Sequence, residues 1–184
     1  MAHLTPEELL KRFQSIREAG DARHTTLEQL RLLRELLQDC PAFAPGLLEL
    51  ARRLQLAEEP GLDAEEAFTE VQRLLEQAVL VSRRSAPALV ELGYFLDVFR
   101  NREAEALALW EEGAATALKT LEDAWAGMLR TWAGERTRES LAKALRLADR
   151  AEQLLPGSVR LQEEVERVRG YAREDGISKS SGEG

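Results

Sequence analysis

The sequence predicts an all-α fold, and three observations predict it. Leucine, alanine, glutamate and arginine dominate the 184 residues, isoleucine occurs only twice, and runs of β-branched residues are absent, a composition that favours helix. Apolar residues recur at three- and four-residue spacing along most of the chain. Proline, glycine and capping residues interrupt that spacing at short intervals. The expectation is about nine helices joined by tight turns, each antiparallel to the last.

The elements follow in order. Thr5-Pro6-Glu7-Glu8 opens the first helix, with Thr5 as cap, Pro6 in the first helical position and Glu8 placed to bond back to the Thr5 amide; Gly20 closes it. Thr25 with Glu28 makes a second capping box, and Cys40-Pro41 ends that helix. The third helix follows Phe43 and lasts to about Leu56. "AEEPGLD" is a loop, and Asp63 with Glu66 caps a fourth helix running to about Ser82. Ser85-Ala86-Pro87 starts the fifth, and Asn101 divides it from the sixth. Thr120 begins the seventh, "AGERT" separates it from the eighth, and Leu155-Pro156-Gly157-Ser158 leads into the ninth. The polar tail "DGISKSSGEG" reads as disordered.

Helical stripes support these assignments. Leu27, Leu30, Leu33 and Leu37 share one face, as do Phe68, Val71, Leu75 and Ala78. Leu107, Trp110, Ala114 and Ala117 form a third stripe, and Ala144, Ala148, Ala151 and Leu155 a fourth. A further pattern recurs on alternate helices: Leu47, Leu50, Ala51 and Leu54, then Leu89, Leu92, Gly93 and Leu96, then Trp125, Met128, Leu129 and Trp132. Leu9, Phe13 and Ile16 give a partial copy ahead of them; Leu161, Val165 and Val168 give one behind, with Glu164 breaking the pattern. Successive copies start 42, 36 and 36 residues apart, at Leu47, Leu89, Trp125 and Leu161.

Leu89-x2-Leu92-Gly93-x2-Leu96 and Trp125-x2-Met128-Leu129-x2-Trp132 resemble the first helix of the tetratricopeptide repeat, a helix–turn–helix unit of about 34 residues carrying W-x2-L-G-x2-Y. The small–aromatic–small second helix of that repeat is matched by Ala106-x3-Trp110-x2-Gly113, and its small positions and closing proline by Ala144, Ala148, Ala151 and Pro156. The resemblance implies a right-handed superhelical stack of antiparallel helix hairpins, an α-solenoid. It divides the chain into a degenerate hairpin over 1–42, repeats with a capping helix over 43–174, and a tail over 175–184. It also gives Gly93 a purpose. Glycine in a helix interior costs about 1 kcal/mol against alanine, and close approach of Trp110 offsets that cost through burial.

Charge and composition exclude several functions. A net charge of −8 argues against nucleic acid as partner. One cysteine, Cys40, precludes an internal disulfide framework and reads as a small buried hydrophobe. "MAHLTPEELLKRFQ" is charged from Glu7 onward, and no stretch of 18 apolar residues exists, so a cytoplasmic chain without membrane insertion is expected. His3 and His24 pair with nothing that makes a nucleophile or metal site. The acids of "EEPGLDAEE" lack the alternating ligands of a calcium loop and read as a solvated turn at a helix N-terminus. Neither a cofactor nor enzymatic activity is expected.

In tetratricopeptide repeats, first helices line a groove that holds partner peptides or helices. The resemblance and helix geometry put Leu48, Arg52 and Gln55 there, with Val90, Tyr94 and Asp97, and then Ala126, Arg130 and Ala133, with Asp123 at the entry. Tyrosine and arginine are frequent interface anchors. The asparagines and lysines with which some family members clamp a C-terminal carboxylate are missing. The expected function is a scaffold or adaptor that binds a protein or peptide segment, with a chaperone for a secreted or assembling client as the alternative. Val79-Leu80-Val81 and the trio Tyr94, Phe95 and Phe99 exceed a single stripe, so a homodimer is a further candidate.

Overall fold

Thr5, Asp63 and Ser158 each accept a hydrogen bond from the backbone three residues on, and each starts a helix. The computed structural model describes residues 4–19, 25–57 and 63–177. Among them are eight helices and no strand: α1 (Pro6–Glu18), α2 (Leu27–Asp39), α3 (Ala44–Leu56), α4 (Ala64–Val81), α5 (Ala86–Arg100), α6 (Glu103–Glu135), α7 (Arg138–Leu154) and α8 (Val159–Glu174). Asn101 closes α5 in the left-handed conformation at φ 52°, which asparagine tolerates better than most residues. Arg136 turns the chain between α6 and α7 at φ 49°. His3, His24, Gly20, the loop acids Glu58 and Glu59, and the tail from residue 178 lie outside the described residues.

The chain divides into two compact units, Met1–Thr116 and Ala117–Gly184. In the first, α3 packs on α2, α4 and α5, α4 on α5, and α1 on α2. Its core holds Phe13, Ile16, Leu30, Leu33, Leu36, Leu47, Leu50, Leu54, Val71, Leu75, Leu89 and Phe95. All four repeat positions of α3 and of α5 are buried, as are Val71, Leu75 and Ala78 on α4. A Cβ on Gly93 would stand 2.5 Å from Trp110 Nε1 and 2.8 Å from its Cδ1. The indole lies against the bare backbone and donates to the Val90 carbonyl at 3.3 Å. Gly113 lies one turn further along α6, where a Cβ would meet Val90 Cγ2 at 3.2 Å.

The second unit packs α7 on α8 and adds the C-terminal part of α6. Its core is built from Ala126, Leu129 and Ala133, then Ala144, Ala148 and Ala151, then Leu161, Val165 and Val168. Glu164, which breaks the repeat pattern, is buried yet satisfied: Arg130 reaches it at 3.0 Å and Arg167 also pairs with it. Glu49 is its counterpart in the first unit, buried and held by Arg53 at 2.9 Å, with Arg17 at 3.9 Å.

Four expectations are corrected. Thr120 starts no helix: α6 is continuous over 33 residues, so the expected sixth and seventh helices are one. Neither glycine nor proline occurs between Gly113 and Gly127, and alanine, leucine, lysine and glutamate carry the helix through. The second capping box is Thr26 with Gln29, not Thr25 with Glu28. Gln29 decides the register: its Oε1 accepts from the Thr26 amide, and its Nε2 donates to the Ile16 carbonyl of α1 at 3.2 Å. The third stripe is displaced, since Leu107, Ala114 and Ala117 are exposed while Ala106 and Gly113 are buried beside the half-buried Trp110. The stripe on α2 likewise turns inward at Leu36, which leaves Leu27 exposed.

Candidate partner-binding surface

The surface that α3 and α5 share is held by an ion pair that spans them. Arg52 Nε donates to Glu91 Oε1 at 3.1 Å. This hydrogen bond holds the guanidinium above its ordinary pKa. One turn along from Glu91, Tyr94 is 59% exposed, and one further turn on Val98 is 61% exposed. Leu56 is exposed one turn beyond Arg52. Phenol, valine, leucine and an arginine–glutamate pair thus lie on two adjacent helices, a mixture of apolar surface and charge.

The predicted groove residues divide. Arg52 and Tyr94 are exposed on this surface. Leu48 is half-buried against the core of the first unit, and Gln55 is half-buried with its amide donating to the Ala51 carbonyl at 3.1 Å. Val90 is half-buried, its side chain near Gly113 and its carbonyl engaged by Trp110; Asp97 is half-buried. In the second unit, Asp123 and Arg130 are exposed on α6, paired to Arg160 and Glu164 of α8. Ala126 and Ala133, expected beside them, are buried in the core of the second unit.

Glu91 and Val98 were missed. Both were legible as neighbours of Tyr94 on one helix face, Glu91 three positions before it and Val98 four after. Phe95 and Phe99, expected to widen an interface, turn inward instead. Phe95 is fully buried and stacks on Phe99 at 5.5 Å, Phe68 meets both, and Arg100 lies over Phe68 and Phe95 while pairing with Glu65 at 2.6 Å. Of Val79-Leu80-Val81, Leu80 faces outward. Cys40 is half-buried at the end of α2. Among the described residues, no three His, Cys, Asp or Glu side chains gather as a metal site requires, and no helix is long and apolar enough to cross a membrane.

Residues 1–83 match the Myxococcota tetratricopeptide repeat protein family, and this stretch includes the hairpin that sequence reading treated as degenerate. A protein of Myxococcus xanthus, described as an uncharacterized 18.1 kDa protein in the carS 3′ region, is 32% identical over 164 residues, which span 89% of this chain and 92% of that protein. The chain belongs to the Myxococcota tetratricopeptide repeat protein family. No solved structure matches it. The tetratricopeptide reading fits the glycine–tryptophan contact of α5 and α6, the small–aromatic–small face of α6 and the all-helical architecture. Tetratricopeptide repeats are in general protein-interaction modules.

Proposed function

We propose that this tetratricopeptide chain is a non-catalytic scaffold or adaptor that holds a segment of a partner protein across α3 and α5. The observation that carries the reading is the exposed Tyr94–Val98 surface next to the Arg52–Glu91 pair. Both elements sit on helices whose opposite faces are fully committed to the core, so the surface is rigid before a partner arrives. Asp123 and Arg130 are assigned to the same role in the second unit, on α6. The reading places the chain and its partner in the cytoplasm and requires no cofactor.

The test is capture from the native host with the full chain as bait, followed by the same experiment with Arg52→Glu combined with Tyr94→Ala. Tyr94 meets the Trp110 ring at 5.3 Å and Arg52 pairs with Glu91, so the comparison is made at a temperature where helical circular dichroism shows the double variant folded. The reading predicts loss of a partner that the wild-type chain retains. Capture of the same partner by both would show that binding lies elsewhere.

A further inference from the structure

A row of charge crosses three helices of the first unit, from α1 through α3 to α5. Arg17 Nε of α1 stands 3.9 Å from Glu49 Oε2 of α3, and Arg52 Nη1 stands 4.0 Å from the same oxygen. Arg52 also donates to Glu91 of α5. Glu49 is 7% exposed, and Arg53 holds its other oxygen at 2.9 Å. A buried carboxylate thus sits at the centre of the row, while the side chains of Arg17 and Arg52 are 56% and 48% exposed.

The two contacts to Glu49 Oε2 are too long for hydrogen bonds. Charge attraction gathers both guanidiniums around Glu49, yet neither donates to that oxygen. Among the described residues Arg17 donates no side-chain hydrogen bond, and its guanidinium lies 5.8 Å from the Phe13 ring centroid. Because both nitrogens stand about 4 Å from one atom, they lie within about 8 Å of each other. One carboxylate can bridge that span, accepting a bond of about 2.8 Å at each oxygen. A cation would be repelled by both arginines, and an amide or hydroxyl brings no charge to match theirs. In a chain of net charge −8, this pair of arginines is a local place for an anion.

We propose that the partner segment supplies an aspartate or glutamate side chain that docks on Arg17 and Arg52, which extends the recognition surface onto α1. The inference rests on partner recognition across α3 and α5 and adds the chemistry of what is held there. Tyr94 and Val98 take an apolar residue of the same segment. An extended segment that crosses one or two helix spacings of about 10 Å each covers that distance in about three to six residues. The acidic and the apolar residue of the partner are separated by that interval.

Capture from the native host with the full chain as bait tests this through single variants, each compared where helical circular dichroism shows it folded. Arg17→Gln removes the charge without adding repulsion beside Glu49, and is expected to weaken retention of the wild-type partner about tenfold, the loss of one charged hydrogen bond. Arg17→Lys is expected to restore part of that loss, and Lys11→Gln, elsewhere on α1, to change nothing. Cross-linking from position 94 locates the bound segment. Replacing its acidic residue by the amide is expected to weaken binding to wild type by the same factor and to have no further effect on Arg17→Gln. If Arg52→Glu with Tyr94→Ala releases the partner while Arg17→Gln retains it fully, recognition across α3 and α5 stands and this inference falls. A bound segment without an acidic residue three to six positions from its apolar anchor, or equal losses in Arg17→Gln and Lys11→Gln, also overturns it. Full retention by every variant, or a wild type that captures nothing, defeats the α3–α5 reading and this inference with it.

Discussion

The first unit is built on leucine and phenylalanine, and the second on alanine. Leu30, Leu33, Leu36, Leu47, Leu75, Leu89 and Phe95 are at most 1% exposed in one; Ala126, Ala133, Ala144 and Ala148 are completely buried in the other. Bulky side chains keep helices apart and fill the space between them, and the tightest glycine contact in the first unit is Gly93 under Trp110. In the second unit small alanines share the core with Leu129, Leu161, Val165 and Val168. The two constructions therefore fail differently. The first is damaged by filling the notch at Gly93 or by emptying its core; the second is damaged by added volume at its buried alanines.

The sharpest break in the comparison is Gly93→Leu. A Cβ alone would stand 2.5 Å from the indole nitrogen, and the whole side chain must displace Trp110 and break its bond to Val90. The expected loss is about 3 kcal/mol or more, seen as a fall in Tm of roughly 10 °C or more for a unit of this size. A Tm within a degree or two of wild type would remove the packing explanation. Ala148→Leu should be next, at about 1–3 kcal/mol from overpacking. Amide exchange should place the loss in α7 and α8 while α1–α5 keep their protection, and uniform loss across the chain would mean that the two units unfold as one.

Capping gives a smaller and more local effect. Thr26→Ala should cost about 1 kcal/mol, whereas Thr25→Ala should leave α2 unchanged, since the box closes on Thr26 and Gln29. The reverse ranking would restore the register expected from sequence. Smallest is Gly127→Ala. Nothing lies within 4 Å of a Cβ there, in contrast to Gly93, so only helix propensity acts and stability should rise by about 0.5–1 kcal/mol. A destabilised Gly127→Ala would mean that this glycine, too, is a packing residue.

The sequence made visible whatever depended on neighbours a few residues apart. The caps at Thr5 and Asp63, the lead from Leu155 to Ser158 into the last helix, the stop at Asn101, and the inward faces of α3, α4, α5 and α7 were all legible this way. Gly93 under Trp110 was legible because a glycine on an apolar face has few other uses. What stayed hidden depended on tertiary choice. Thr25 and Thr26 offer two capping boxes one residue apart, and only the bond from Gln29 to Ile16 on α1 distinguishes them. Thr120 was expected to start a helix because the repeat period asked for a break, but the local residues contain no stop, and local propensity won. On α6 the aromatic residues drew attention as core, while the buried line is Ala126, Leu129 and Ala133. Of the candidate surface, Arg52 and Tyr94 were anticipated, but Glu91 was found only through its pairing with Arg52.

The central claim is that partner recognition uses the α3–α5 surface. A photo-reactive residue placed at Tyr94, compared with one at Leu80 on α4, tests it most directly; both positions are exposed and neither contributes to the core. In the native host the account predicts a covalent adduct with a partner protein from position 94 and none from position 80. An adduct from position 80 with none from position 94 would contradict it.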